Sequence, residues 1–196
     1  VGVEQDSSTW DDEAVGYDEP ADHGLHAAGV RGAWRDLLLA QLPDPPAAVA
    51  DLGCGTASLS VLLAAEGFAV HGVDFSAAML ERARAKADGA GVEIALTHGD
   101  VAVPPLGDGL FDVVLCRHVL WAVPDPAAAL GRWLELLRPD GRLVLIEGMW
   151  GTGVGLASSR TEQLVREVGR EPVRHDLTDP ALWGRTITDH RYLVTA

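Results

Sequence analysis

The segment Val49-Ala50-Asp51-Leu52-Gly53-Cys54-Gly55-Thr56-Ala57 restricts the fold of this chain more than any other. A short run of buried-strand character drops into a glycine turn that opens a helix. Units of this kind build parallel sheets covered by helices on both faces. At Gly53 and Gly55 the missing Cβ lets a ligand lie directly on the main chain. Asp74 closes the following strand, 21 residues beyond Gly53, a spacing at which a carboxylate takes both hydroxyls of a bound ribose. The ligand expected from these residues is a nucleoside cofactor.

The rest of the chain repeats the strand–helix alternation. Val30, Trp34, Leu37 and Leu38 recur at helical spacing, so residues 25–41 read as an amphipathic helix that the prolines from Pro43 end. Strands are expected at 49–52, 69–73, 92–96, 111–115 and 143–146. Helices are expected at 57–66, at 77–88 with Ser76 as cap, from Pro126 with a stripe of Leu130, Trp133, Leu134 and Leu137, and near 158–168. This order predicts an α/β fold, a three-layer doubly wound sheet with right-handed crossovers. The ending breaks the pattern. Segments 172–177 and 191–195 are too close for a helical crossover and suit an antiparallel pair. With 196 residues and no linker, the chain reads as a single domain, 1–42 forming an N-terminal lid and helix and 43–196 the cofactor-binding core.

A net charge of −14 with no arginine cluster opposes binding to nucleic acid, which leans on phosphate neutralisation. Eight acids and no base lie between Glu4 and Asp22; a solvated, partly flexible N-terminus accounts for them better than steering of a substrate does. No apolar run approaches membrane-span length, and Val1–Asp6 lack the regions of a signal peptide. Cys54 and Cys116 make no disulfide framework, so a cytoplasmic location is expected. No cluster has metal-site spacing, and no metal is expected. The expected partner is a small-molecule acceptor, with no membrane and with a monomer or homodimer as the assembly.

A dinucleotide fingerprint needs a third glycine, which Ser58 replaces here. Asp51, two residues before the first glycine, would repel a pyrophosphate and suits a ligand bearing an ammonium. An NAD(P)-dependent oxidoreductase is therefore the weaker alternative. Four stretches between Ala47 and Ile146 resemble class I S-adenosylmethionine-dependent methyltransferases of the small-molecule, quinone-methyltransferase-like group, also described as methyltransferase type 11. They are Asp51–Thr56, Gly72–Leu80, Gly99-Asp100-Val101, and Phe111–Trp121 followed by Pro124-Asp125-Pro126. Arg138-Pro139-Asp140-Gly141 is similar to the turn this family places before its fifth strand.

The resemblance implies S-adenosyl-L-methionine as cofactor and S-adenosyl-L-homocysteine as product. It places Asp51, Gly53, Cys54, Gly55 and Thr56 beside the methionine part and Asp74 on the ribose. Phe75 or Met79 would lie against adenine, with Asp100, next to Val101, on the adenine amino group. It also implies the strand order 3-2-1-4-5-7-6, with an antiparallel last strand. One departure is Ala57, where the family has glycine; binding is expected to survive if that backbone stays right-handed.

Methyl transfer to nitrogen, oxygen or carbon is an in-line displacement that needs alignment first and sometimes a base. His118, just past the fourth strand, is the candidate base or substrate orienter. His23 and Tyr17 precede the first amphipathic helix and are candidates to fold over the pocket. Arg117 is a candidate holder of a carboxylate on substrate or cofactor, against the alternative of a surface ion pair. Trp121 and Trp150, with Trp10, could wall an apolar or planar acceptor. His71 reads as a core or edge residue, His98 as shaping a turn, and His26, His175 and His190 as surface residues. Cys54 reads as a loop filler. A non-catalytic protein binding S-adenosylmethionine or S-adenosylhomocysteine is the reading from another class.

Overall fold

The computed structural model describes residues 7–196. Val1–Asp6, on which the absence of a signal peptide was read and which hold two of the eight acids, lie outside the described residues. Five parallel strands form the first part of the sheet: β1 (Ala48–Leu52), β2 (Ala69–Asp74), β3 (Ala95–His98), β4 (Phe111–Arg117) and β5 (Leu137–Met149). The sheet ends with β6 (Val173–Asp176) and β7 (His190–Thr195), β7 running antiparallel to both β5 and β6. The order is β3-β2-β1-β4-β5-β7-β6. The expected α/β topology is thus observed, including the reversed ending.

Alternate residues of the central strands feed two cores, as the period of a strand demands. Val49, Val113 and Leu115 face a layer built by α3 (Ala28–Leu39) and α4 (Ser58–Ala65), into which Trp34, Leu38 and Leu63 insert. Ala50, Val114 and Cys116 face α6 (Pro126–Glu135) and α7 (Ser158–Glu167), with Trp133, Leu130 and Leu164. Both tryptophans are fully buried, and each indole N–H reaches a backbone carbonyl, Trp34 that of Leu182 at 2.7 Å and Trp133 that of Val101 at 2.7 Å. These bonds remove the cost of an orphaned donor.

Boundaries differ from expectation in three places, each for a local reason. Helix α5 (Ala77–Ala90), capped by Ser76 accepting from the Met79 amide, continues until Gly91 turns left-handed at φ 67°. The chain then needs Val92–Ile94 to regain the sheet, so β3 starts at Ala95. The turn expected at Arg138–Gly141 is absorbed into β5 as an irregularity: Phe111 pairs with Leu137 but Val113 with Arg142. Residues 7–24 are not a solvated tail. They fold into α1 (Ser7–Glu13) and α2 (Ala21–Gly24), and three of their six acids, Asp11, Asp18 and Asp22, are anchors.

Asp11 accepts from the Ser76 hydroxyl at 2.5 Å and the Ala78 amide at 3.2 Å. Asp18 accepts from Thr56 at 2.6 Å and Lys86 at 2.9 Å. Asp22 accepts from Arg117 at 3.0 Å. Three carboxylates therefore strap the N-terminal segment across the carboxyl ends of β1, β2 and β4.

Candidate active site

A cavity of about 320 Å³ opens at those carboxyl ends, where open α/β sheets take ligands. Its floor is the turn after β1. Gly53 has φ +73°, and a Cβ there would come within 2.3 Å of the Val119 side chain; Gly55 has φ +54° and lies under the Tyr17 ring. Only glycine meets both demands at Gly53. Asp74 ends β2 in the cavity wall. Its carboxylate accepts from the Gly55 amide at 2.8 Å and the Ser76 amide at 2.9 Å, so β2 fixes the β1 turn. Burial raises the Asp74 pKa, and the backbone N–H groups around it oppose that rise.

Phe75, Met79, Val101 and Val123 give the cavity an apolar end. Asp100 borders it, its Oδ1 accepting from the Ala102 amide at 2.8 Å, and His98 shapes this corner by pairing with the Phe75 carbonyl at 2.9 Å. Trp10 and Tyr17 of the strap close the opposite side, their rings 6.2 Å apart and edge-on. Burial raises the Tyr17 pKa above its ordinary 10, so the phenol stays protonated and serves as a wall of the cavity.

Not every predicted residue reaches this cavity. Asp51, Cys54, Thr56, Arg117 and His23 border a smaller one of about 30 Å³, room for about one water. Asp51 accepts from Ser60 at 2.5 Å; burial pushes its pKa up to about 6. The Thr56 hydroxyl is committed to Asp18. His23 bonds the Tyr17 carbonyl through Nδ1 at 3.1 Å and stacks on the Tyr17 ring at 4.7 Å. Burial pushes the Cys54 thiol well above its ordinary pKa, which keeps it unreactive.

Arg117 is neither a surface ion pair nor a free anion holder. It is buried beneath the strap, bonded to Asp22, with its guanidinium 4.3 Å from the Trp34 ring centroid. Ala57 also departs from expectation: its φ is +61°, so the backbone is left-handed and the methyl carries a strain of about 1–2 kcal/mol. The helix α4 behind it begins on time, so the turn tolerates that cost.

His118 borders both cavities. Its φ is +59°, its amide donates to the Ile146 carbonyl at 2.8 Å, and its carbonyl accepts from Trp121 Nε1 at 2.9 Å. Burial first, then Arg117, Arg191 and His23, hold its pKa well below 6.5, so the ring is neutral. Beneath it lies Glu147, fully buried near the end of β5. Its Oε1 accepts from the Val119 amide at 3.0 Å and the Leu120 amide at 2.8 Å, fixing the turn that carries His118. Beside His118 stand Trp150, Trp183 and Arg191, whereas Trp121 and Trp150 pack edge-on at 5.6 Å, away from the main cavity. His71 is half-buried against Thr97, and His26, His175 and His190 are exposed.

Sequence reasoning missed Asp22, Glu147, Trp183 and Arg191. Only Glu147 carried a signal, an acid directly after the apolar run Leu143–Ile146.

Residues 50–145 match the family model for a methyltransferase domain. That stretch contains the β1 turn, Asp74, Asp100 and His118. The chain carries a class I S-adenosylmethionine-dependent methyltransferase domain. The chain is 37% identical to a demethylmenaquinone methyltransferase of Thermus thermophilus over 120 residues, covering 58% of this chain and 53% of that protein. The chain spans about half the length of the curated relatives it matches.

Among solved structures, magnesium protoporphyrin IX methyltransferase from Synechocystis with bound SAM overlays with a TM-score of 0.67, at 23% identity, over 84% of this chain and 76% of that one. The [4+2]-cyclase SpnF overlays at 0.72, with 18% identity, over 83% and 78%. The same fold therefore also appears in a cyclase. The chain's own residues suit the cofactor: a glycine floor that a Cβ would fill, a buried carboxylate in the wall and an apolar end. Among the described residues no His, Cys, Asp or Glu group could hold a metal ion, and no helix is long and apolar enough to cross a membrane.

Proposed function

We propose that this protein transfers a methyl group from S-adenosyl-L-methionine to a nitrogen, oxygen or carbon atom of a small-molecule acceptor. The observation that carries the reading is the buried Asp74 carboxylate, tied to the glycine turn and bordering a ligand-sized cavity. Asp74 takes the ribose hydroxyls, and Phe75, Met79 and Val101 enclose the adenine with Asp100 at its amino edge. Gly53 and Gly55 leave room along the chain, and Asp51 on the smaller cavity faces the ammonium of the methionine part. When bound, S-adenosylmethionine supplies a methyl group on a sulfonium, with a neutral thioether as leaving group.

The protein's task is then mainly alignment, a contribution of about 7–11 kcal/mol where it is well done. Trp10 and Tyr17 keep water from the reacting centre. His118, neutral and bordering the cavity, receives a proton from the acceptor where one must leave. The 196 residues act as one domain, with the strap as its lid, on an acceptor that is free in the cytoplasm. Two free thiols and no disulfide accord with that compartment.

Calorimetric titration with S-adenosylhomocysteine, beside reduced nicotinamide dinucleotide, tests the cofactor. Micromolar binding of the former alone is expected, on the order of 8 kcal/mol of binding free energy. Replacing Asp74 with Ala is expected to weaken it by at least about tenfold through loss of charge-assisted hydrogen bonds. Undiminished affinity in that variant, or binding of the nicotinamide instead, would remove the assignment.

A further inference from the structure

At one end of the sheet, β6 pairs with β7 on one side only. Its residues Val173-Arg174-His175-Asp176 are all exposed, and they run between Pro172 and the buried Leu177. The register sets Val173 opposite Thr195 and Asp176 opposite Tyr192; one step further, the Leu177 amide donates to the Arg191 carbonyl at 2.8 Å. Bonded and non-bonded pairs alternate along an antiparallel ladder. Leu177, His175 and Val173 therefore turn their peptide groups toward β7, while Arg174 and Asp176 turn theirs outward. Pro172, which has no N–H, closes the row.

Charges on an edge strand ordinarily keep other strands away. Here their order selects a partner instead. A second copy of this edge pairs antiparallel about a two-fold axis at residue 174, 175 or 176; intermediate registers set outward peptide groups against inward ones. An axis at Arg174 opposes two arginines, and an axis at Asp176 opposes two aspartates. An axis at His175 opposes Arg174 of each copy with Asp176 of the other. These are the residues whose peptide groups point outward, so the same pairs exchange backbone hydrogen bonds and match charge.

The side chains leave room for this exchange. Arg174 uses Nη1 on Ser158 and Glu162 and Nε on Asp176, and Asp176 uses Oδ1 on Arg174 and His190. Nη2 and Oδ2 take no part in those contacts. On the opposite face the same register lays Val173, 55% exposed, against the second copy's Leu177, which is 4% exposed at the edge of the core. An exposed apolar side chain thereby gains an apolar neighbour.

Net charge points to the same end of the molecule. The chain carries −14, yet residues 157–196 hold six arginines and six acids. The whole excess lies in residues 1–156, so two copies repel least where β6 stands.

We propose that two copies of this protein pair through β6 about an axis at His175, continuing one seven-stranded sheet into the next. Antiparallel pairing directs the carboxyl ends of the two parallel portions in opposite directions, so each cavity stays open and each copy keeps its own site.

Light scattering on the purified protein over about 1–200 μM tests this, with a midpoint expected on the order of 10 μM for so small a contact. The mass rises from 20.7 kDa to twice that value. Arg174→Asp and Asp176→Arg each set like charges opposite one another and weaken pairing by at least about tenfold. An equimolar mixture of the two variants has opposite charges at every pair and recovers the doubled mass, which also shows that both are folded. His175→Cys forms a disulfide-linked dimer under mild oxidation, because non-bonded pairs hold their Cα atoms about 4.5 Å apart. Val173→Cys, displaced from the axis, does not. A mass that stays at 20.7 kDa throughout overturns the proposal. So does a dimer that survives either charge reversal alone, a mixture that fails to pair, or crosslinking at Val173→Cys in place of His175→Cys.

Discussion

Glu147 should make this protein lose stability as the pH rises through the neutral range, and Glu147→Gln should abolish that loss. The side chain is fully buried, and burial pushes its pKa from 4.5 to about 8, against the amides of Leu120, Val119, Trp121 and Gly148. Between those two values the unfolded chain has released the proton and the folded protein has kept it. The folded state then binds more protons, so its stability falls by about 1.4 kcal/mol per pH unit. The contribution is whole below pH 4.5, down by about 3 kcal/mol at pH 7, and gone above the folded pKa. Against a usual total of about 5–15 kcal/mol, that is a large share.

Glutamine keeps an oxygen for the Val119 and Leu120 amides but cannot ionise. Its extra N–H in a dry site adds a constant penalty of about 1–3 kcal/mol. The diagnostic is therefore the trend with pH rather than any single value. Urea unfolding of both proteins at pH 5, 6, 7 and 8 should show the variant gaining on wild type by about 1.4 kcal/mol per pH unit. Asp51, raised to about 6 by burial, tilts both curves alike below pH 6 and cancels in the difference. Parallel curves would refute the reasoning, since they would mean that the Glu147 carboxyl ionises equally easily folded and unfolded.

Other outcomes follow from the same geometry. Gly53→Ala sets a methyl against Val119 at φ +73° and should cost about 2–4 kcal/mol, part overpacking and part left-handed strain. Adding Val119→Ala should recover the overpacking part in a double-mutant cycle; strictly additive losses would show that the two side chains do not meet. Lys86→Met removes the cation shared by Asp18, Thr56 and Ser58 and should loosen the strap by about 1–3 kcal/mol, read as faster amide exchange at residues 17–24.

In the wild-type protein the same latch should be sensitive to acid. Burial works against the Asp18 charge, but hydrogen bonds from Thr56 and Lys86 and the Lys86 charge outweigh it and hold the pKa below 3.8. Its contribution is complete above that ordinary value and is lost as pH falls through the lower folded one. Exchange at residues 17–24 that stays constant into strong acid would contradict this.

The sequence by itself determined the architecture and the glycine turn with Asp74 that borders the main cavity. Strand and helix periodicity, the Ser76 cap, the glycine turn and Asp74 are properties of neighbouring residues, and neighbours suffice to express them. Even the reversed ending was legible, because a short connection between β6 and β7 leaves no room for a parallel crossover. Local pattern was silent where the partners lie far apart in the chain.

Asp22 and Arg117 meet only because the strap crosses the sheet, and Arg191 stands beside His118 only because β7 docks antiparallel on β5, setting Gly148 opposite Arg191. Acids that read as solvated became anchors once helix α5 and the β1 turn offered donors. Binding was expected to survive Ala57 if its backbone stayed right-handed, a condition not met, because the turn that carries Gly53 and Gly55 imposes φ +61° on it too. What only the tertiary structure decided was which charges are buried, beside what, and in which backbone conformation. These depend on the sheet order and on the path of the chain over it, which no window of neighbouring residues contains.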